Sequence, residues 1–477
     1  MRLVLAAFLA CLSMCIAVPA AAAAPCETPA RADDGWRFQT DPAQAGFSPQ
    51  ALCDALRAFA GSPRNLHSLV VERSGELVAE AYRAGDDRST YSLFASRTAF
   101  DASTPHDVRS VTKSVVALLW GIAQGEGAVP PVDTPVLDLL PALADLRSDG
   151  REHITVRDLL CMRSGLAWDE SGGYSRPGND ARDLLWRGDI ARHVLGRRLQ
   201  AAPGQQFNYN SGLSAVLAQL LEARTGQDLQ DYARQKLFAP LGIESWEWGR
   251  DLRQRTRGDS GLRLRPRDMV RIGRLMLDGG RWQGRQLVPQ DWVRAAVTPC
   301  VAGAEYGYQW WAGRIHVDGR PVGWQGALGN GGQRVFLVPA LDLVVVATAG
   351  EYNDGSIGRI QRSLLEQVVV ATREHAAGAT FEAAGPTAGA PAPPAAGTRA
   401  ELRSVTHEAG KVYAYLKILP GAKVPFSTLR FRVRDQAMLA GLESGTNVKF
   451  SAERVDGENT LVTIRAVAAC VRFQPCE

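Results

Sequence analysis

Ser110-Val-Thr-Lys113 leads directly into Ser114-Val-Val-Ala-Leu-Leu-Trp120, and this stretch decides the fold. A serine and a lysine three residues apart head a run that is almost wholly apolar. On a helix, positions i and i+3 share a face about 5–6 Å apart, so Lys113 stands above Ser110. The N-terminus of that helix adds free N–H groups and partial positive charge, which suit a developing oxyanion. A serine hydroxyl is a weak nucleophile and needs a base close by. The bland alternative is a capping serine with a solvated lysine. A lysine leading a buried helix is not readily explained as solvated surface.

Working outward, Val111 to Gln124 reads as a strong helix. Upstream, Pro49 to Phe59 is helical, and Ser68 to Tyr82 reads as a hairpin turning at Ser74-Gly75. Downstream, Val156 to Met162, Gly212 to Arg224, Arg267 to Leu277 and Gln290 to Val297 are helical candidates. Strands return at Arg334 to Pro339 and Leu341 to Ala347, and Ile357 to Val370 closes as a helix. Strands at both ends with helices between predict an α+β fold. An antiparallel sheet built from the two chain ends is flanked by helices, with a helical lobe inserted.

Two further segments carry chemistry. Phe207-Asn-Tyr209-Asn-Ser211 precedes the helix from Gly212. A tyrosine, with an ordinary pKa near 10, acts as a base only if a cation holds it as phenolate or if proton transfer is concerted. Lys113 would be that cation. In an extended segment Ser211 points to the same side as Tyr209. The competing reading is a core tyrosine followed by an N-cap serine. Ala327-Leu-Gly-Asn-Gly-Gly-Gln333 runs into the strand from Arg334, and its glycines let backbone N–H groups approach a ligand closely. By itself that segment is equally a glycine-rich hairpin loop. No G-x-S-x-G is present, which excludes the α/β-hydrolase elbow.

Taken together, in this order and spacing, the three segments resemble the serine β-lactamase and penicillin-binding-protein superfamily. Its motifs are S-x-x-K, then Y-x-N or Y-x-S, then K-T-G or a substitute. Asp158 to Asp169, Gly261 to Met269 and Tyr306-Gly-Tyr-Gln-Trp-Trp311 look like the class C β-lactamase-related hydrolases. The resemblance implies Ser110 as nucleophile, with Lys113 and Tyr209 moving its proton. It also implies Gly329, Asn330 and Ser211 as oxyanion or substrate-binding residues. Two departures stand out. Ser211 replaces the asparagine of true class C β-lactamases, and no Lys-Thr-Gly is present. The third motif falls either on Trp324-Gln-Gly326 or, as in the 6-aminohexanoate-dimer hydrolases, on Ala327-Leu-Gly329 with Asn330 after it. The second placement is favoured. On either, the cation that grips a β-lactam carboxylate is missing.

A segment of 24 residues, Ala376 to Arg399, holds 10 Ala, 4 Gly and 4 Pro. It cannot bury a core and reads as a semi-extended tether. The expected organisation is a signal peptide over 1–24, a hydrolase body over 35–375, a linker over 376–399 and a tail over 400–477. Within the tail, Lys411 to Leu416, Thr428 to Val433, Asn447 to Ala452 and Thr460 to Val467 read as strands of a small OB-like barrel. Gly410 to Phe450 resembles the periplasmic copper-binding barrels of copper efflux systems. Those hold Cu(I) through methionine sulfurs, a histidine and a tryptophan. Here Ser427 and Leu429 stand for the methionines and Val424 for the tryptophan, and the tail's one histidine, His407, lies well upstream. Soft metals need soft ligands, so the scaffold is expected to persist without the site, as a docking module or cap.

The 477 residues are 45% hydrophobic and 22% charged, ordinary globular composition. Net charge is +4 with no polybasic or acidic block, which points away from nucleic acid and membrane-surface partners. Arg2 and the apolar run from Leu3, ending in Ala20 to Ala24, read as a secretory signal. No membrane span is expected once it is removed, and the location would be periplasmic or secreted. Cys11 and Cys15 would leave with it. The remaining six cysteines permit disulfides in 15 full pairings, of which Cys470–Cys476 is the most local. No C-x-x-C or H-E-x-x-H occurs, so no metal site and no cofactor are predicted. The expected function is an exported serine hydrolase acting through an acyl-enzyme on a small-molecule or peptide-like amide or ester. The alternatives are a β-lactamase or D,D-peptidase, and a non-catalytic binding protein on the same fold.

Overall fold

A computed structural model describes Cys26 and residues 34–88, 92, 94–171, 174, 176, 178–372, 398–408, 411–418, 428–433, 435–455 and 458–467. They fall into two compact units divided after Ala384.

The first unit opens with β1 (Arg37–Phe38), α1 (Pro49–Ala60), β2 (Leu66–Arg73) and β3 (Glu76–Tyr82). Ser74 and Gly75, at φ 52° and 84°, make the tight turn between β2 and β3. Three short strands follow, β4 (Ala84–Asp87), β5 (Ser96–Ala99) and β6 (His106–Asp107), and then α2 (Val111–Gly125). The lobe carries α3 (Val156–Leu160), α4 (Ile190–Leu195), α5 (Ser211–Thr225), α6 (Leu229–Ala233) and α7 (Ala239–Leu241). After β7 (Trp246–Trp248) and β8 (Leu262–Leu264) come α8 (Pro266–Leu277), the small hairpin β9 (Arg281–Trp282) and β10 (Arg285–Gln286), and α9 (Gln290–Val297). The chain returns to the sheet with β11 (Trp311–Val317), β12 (Arg320–Gly329), β13 (Gln333–Val338) and β14 (Leu343–Ala349), and closes with α10 (Ile357–Val370).

The main sheet has the order β1-β3-β2-β14-β13-β12-β11. It is antiparallel throughout except at its edge, where the two residues of β1 pair parallel with β3. The N- and C-terminal stretches meet at β2 and β14, with Val70 opposite Val346. Strand alternation sorts side chains into two cores. Val70, Val335, Leu337, Val344 and Val346 face the larger core beneath α2, α5 and α8. Leu69, Val71, Phe336, Val338 and Val345 face the smaller one, with α1 and α10. The strands read from sequence hold, with shifts of one or two residues at the ends. The Pro-Ala step between the last two strands is a 3-10 turn, Pro339–Leu341.

Two disulfides are formed, Cys26–Cys53 and Cys161–Cys300. Cys470 and Cys476 lie outside the described residues, as does the segment 1–24 expected to be a signal peptide. Among the described residues, no helix is long and apolar enough to cross a membrane.

The second unit is a closed barrel in the order β15-β16-β17-β19-β18. Its strands are β15 (Thr398–Glu408), β16 (Lys411–Ile418), β17 (Thr428–Val433), β18 (Asn447–Val455) and β19 (Glu458–Ala466). Leu402, Ala414, Leu416, Phe431, Val448 and Phe450 fill it. The sequence reading missed β15, whose first two residues fall in the expected linker. Its alternation is interrupted by charged and polar residues, and its pairing with β18 joins Thr398 to Phe450 and Glu401 to Asn447, about 50 residues apart. Val424 and Ser427 lie outside the described residues, and of Leu429 only the strand position in β17 is described.

Candidate active site

Ser110 occupies the N-cap position of α2, yet its side chain makes no capping hydrogen bond. The hydroxyl is thus spared from helix duty. The loop delivering it is held by β6 pairing with β8, and by Val108 N–H donating to Leu262 O at 2.9 Å. Arg109 sits at φ 51°, a left-handed conformation that costs a non-glycine residue about 1–3 kcal/mol. Its N–H donates to Asp107 Oδ1 at 3.0 Å, and its guanidinium lies 4.2 Å from the centre of the Tyr352 ring.

Lys113, one turn on, is 1% exposed. Its ammonium donates to Ser110 Oγ at 2.9 Å and to Asp259 O at 2.7 Å, and lies 5.3 Å from the centre of the Tyr209 ring. Burying a charge requires such compensation. Tyr209 stands beside this pair, close enough for Ser110 to act on its hydroxyl. Burial, and then the Glu170 carboxylate, push the Tyr209 hydroxyl well above its ordinary value, and Ser110 only partly offsets them. A resting phenolate is therefore disfavoured. Of the two routes open to a tyrosine base, the concerted one fits this site.

Tyr209 is positioned by the segments that resemble class C-type hydrolases. It stacks on Trp311 at 5.9 Å and meets Tyr306 edge-on at 6.1 Å. Asn208 N–H donates to Met162 O at 2.8 Å, and the Asn208 amide donates to Trp168 O at 3.2 Å. Asn210, not Ser211, caps α5, accepting from Leu213 N–H.

Ser211 takes a different partner. Its N–H and its hydroxyl both donate to Glu170, at 3.0 Å each, and Trp168 Nε1 donates to the same carboxylate at 2.8 Å. Burial pushes the Glu170 carboxyl up, while Lys113 and these donors pull it down. Sequence reasoning missed Glu170. No spacing rule links it to Tyr209, and only its place in the 158–169 neighbourhood hinted at it. Asp259 was missed as well. Burial raises its carboxyl, but the Arg257 guanidinium at 2.6 Å more than offsets this and holds it below the usual carboxylate range.

A cavity of about 230 Å³ joins these groups, with Ser110, Lys113, Ser211, Asn330, Arg182 and Tyr352 in its wall. Of the two placements of the third motif, the structure brings Gly329-Asn330 to Ser110. Trp324 and Gly326 lie in mid-strand, paired with Gly313 and Phe336. Gly329 packs so tightly under the loop leading to Ser110 that a Cβ there would stand 2.3 Å from Val108 O. The Asn330 amide is paired with Asn353, donating to Asn353 Oδ1 at 3.0 Å and accepting from Asn353 N–H at 2.9 Å. One strand over, the buried Arg334 donates to Gly329 O at 2.7 Å and to Gln333 O at 2.9 Å. Burial and Arg362 push its pKa down to about 10, so it stays charged at neutral pH. It lines a second hollow, which shares Tyr174, Asn330 and Asn353 with the first.

Ser110, Lys113 and Tyr209 are thus gathered at one place on a fold of the β-lactamase class. Residues 67–363 match the Beta-lactamase family model, and the chain belongs to that family. Residues 395–466 match the model of Copper binding periplasmic protein CusF. The chain is 28% identical over 314 residues to a 6-aminohexanoate-dimer hydrolase of Paenarthrobacter ureafaciens, covering 58% of this chain and 71% of the relative. It is 30% identical over 185 residues to a D-aminopeptidase of Brucella ovis, covering 38% of this chain and only 32% of that protein. Among solved structures, a class C β-lactamase from Rhodobacter sphaeroides superimposes with TM-score 0.51 at 16% identity, over 67% of this chain and 99% of that one. SurE superimposes with TM-score 0.50 at 22% identity, over 89% and 98%. These likenesses in structure concern the fold.

Proposed function

We propose that the protein is an exported serine hydrolase that cleaves an amide or ester through an acyl-enzyme on Ser110. The observation that carries this reading is the Ser110 hydroxyl, free of capping, with the Lys113 ammonium at 2.9 Å and that ammonium 5.3 Å from the centre of the Tyr209 ring. In this reading Ser110 Oγ attacks the carbonyl carbon and hands its proton to Tyr209, which releases its own in the same concerted movement, so that neither Tyr209 nor the Lys113 ammonium gains a net proton. The backbone N–H groups of Ser110 and Asn330 hold the oxyanion. Tyr209, a neutral phenol at rest, gives a proton to the leaving group in step with bond cleavage. Water then releases the acyl group and restores Ser110. The similar 6-aminohexanoate-dimer hydrolase and D-aminopeptidase support an amide as the bond cleaved. Export is supported by the apolar N-terminal run, the two disulfides and a tail that matches a periplasmic family.

A β-lactamase or D,D-peptidase is the second reading, and one observation favours it. The cation missing from the third motif has a neighbour in Arg334, on the adjacent strand. A serine-reactive fluorophosphonate, followed by a screen of p-nitrophenyl esters, linear amides, D-amino-acid amides and nitrocefin, tests both. Labelling at Ser110 with turnover of amides or esters supports the first reading. Absence of labelling in folded protein removes it and leaves a binding protein.

A further inference from the structure

Away from the cavity, three strands bring His67 (β2), Asp87 (β4) and His106 (β6) together. All three are buried, and one ligand-type atom from each lies within 4.8 Å of the others. His67 Nδ1 faces His106 Nε2 at 2.8 Å, and Asp87 Oδ1 stands 3.9 Å from His106 Nε2.

The outer nitrogens fix the tautomers. Asn65 donates through Nδ2 to Asp86 O at 2.7 Å and accepts from Asp86 N–H on Oδ1 at 3.1 Å, so its amide cannot be turned round. The same Oδ1 lies 3.0 Å from His67 Nε2, which must therefore carry hydrogen. His106 Nδ1 faces Asp107 O at 3.1 Å, and a carbonyl only accepts, so Nδ1 carries hydrogen too. A neutral imidazole has a single N–H. The two inner nitrogens thus turn lone pairs on each other at 2.8 Å, an arrangement that repels unless a cation sits between them.

A proton would join the two rings but leave Asp87 beyond hydrogen-bond reach of His106 Nε2. A metal ion uses all three groups. Separations of 2.8 and 3.9 Å bracket the edge of about 3.3 Å in a tetrahedron with bonds of about 2.0–2.1 Å. Outer N–H groups that donate to an amide and a backbone carbonyl are the supports metal-bound histidines take. Glycines clear the space. A Cβ on Gly85 would stand 2.6 Å from His67 Nε2, and one on Gly350 2.8 Å from His67 Cε1. Phe100 stacks on the His67 ring at 4.1 Å and helps close the site.

We propose that His67 Nδ1, His106 Nε2 and Asp87 Oδ1 hold one divalent transition-metal ion, zinc by the character of the ligand set. Two imidazoles and a carboxylate are poor for the oxygen-seeking Mg²⁺ and Ca²⁺, and too hard for Cu(I). The ion pins β2, β4 and β6 together four residues before Ser110. Tyr352, which donates to Asp87 Oδ1 at 2.5 Å and lines the cavity, ties the site to the active-site wall. Because the ligands are buried, the ion enters as the chain folds.

The test uses the full chain, refolded or expressed with Zn²⁺ and then desalted, with metal counted per chain by plasma mass spectrometry. About one ion per chain is expected, retained in His407→Ala and lost in His67→Gln/His106→Gln. Asn65→Ala should weaken the affinity about 10–100-fold by freeing the His67 ring. Wild-type protein that retains neither Zn²⁺ nor Co²⁺ overturns the proposal. So does retention unchanged in the double variant. Should that variant fail to fold, the Co²⁺-loaded wild type decides. Strong visible bands of a four-coordinate nitrogen–oxygen site support the proposal, and their absence refutes it.

Discussion

In the body, α2 and the 207–211 segment bring Ser110, Lys113 and Tyr209 to one point, as the family resemblance implies. In the tail, Val424, Ser427 and Leu429 stand where copper-binding relatives are expected to carry tryptophan and methionine. Both scaffolds are kept, and the sequence reading expects the donor atoms to persist only in the body. A barrel needs little more than apolar residues at alternate positions, such as Leu402, Ala414, Leu416, Phe431 and Phe450. A reactive site needs particular atoms, and Lys113 is buried with its ammonium held on Ser110 Oγ and Asp259 O.

The largest effect expected is at Ser110. Ser110→Ala should lower kcat by at least about 10³-fold and abolish fluorophosphonate labelling, with the unfolding midpoint unchanged. The side chain caps nothing, so its loss should not loosen α2. Near-wild-type turnover would erase the contrast between the two regions, leaving both as scaffolds.

Next comes Tyr209→Phe, expected to lower kcat about 10²-fold with a smaller change in KM. The ring contacts with Trp311 and Tyr306 survive that substitution, so packing is spared. A change confined to KM would make Tyr209 a binding residue.

Arg334 sharpens the comparison, since the body too has altered a motif. If its guanidinium faces the substrate, Arg334→Gln should raise KM about tenfold for amides bearing a carboxylate and leave neutral esters alone, a difference of about 1.4 kcal/mol. Equal effects on both would assign Arg334 to holding the carbonyls of Gly329 and Gln333.

Local signals carried much of this. The apolar run after Lys113, the Ser74-Gly75 turn and the alternating strands at both ends predict α2, the hairpin and the sheet. Ser110–Lys113 was legible because one helical turn joins them. Glu170, Asp259 and Arg334 were not, because each reaches the site through contacts that no spacing encodes. His67, Asp87 and His106 were hidden for the same reason. Metal motifs are recognised when ligands share a helix or loop, and these lie on three strands of different sheets. The disulfides had equally little local signal, since Cys161 and Cys300 are 139 residues apart.

The smallest effect is expected from the tail. The Ala/Pro/Gly segment before it is read from its sequence as a semi-extended tether. Each described unit has a core of its own. A chain ending after His375 should therefore retain kcat/KM within about threefold of the full-length enzyme on the best ester or amide substrate, a change of under about 0.7 kcal/mol. The same pair of proteins tests the lost ligands. With Val424, Ser427 and Leu429 offering no thioether, imidazole or indole, the full chain should bind Cu(I) no more tightly than the shortened one under oxidising conditions. Cu(I) bound only by the full chain would show that other soft donors, Met438 or a reduced Cys470–Cys476 pair, have replaced the missing ones. Loss of all activity in a folded, shortened chain would make the barrel part of the enzyme's working surface.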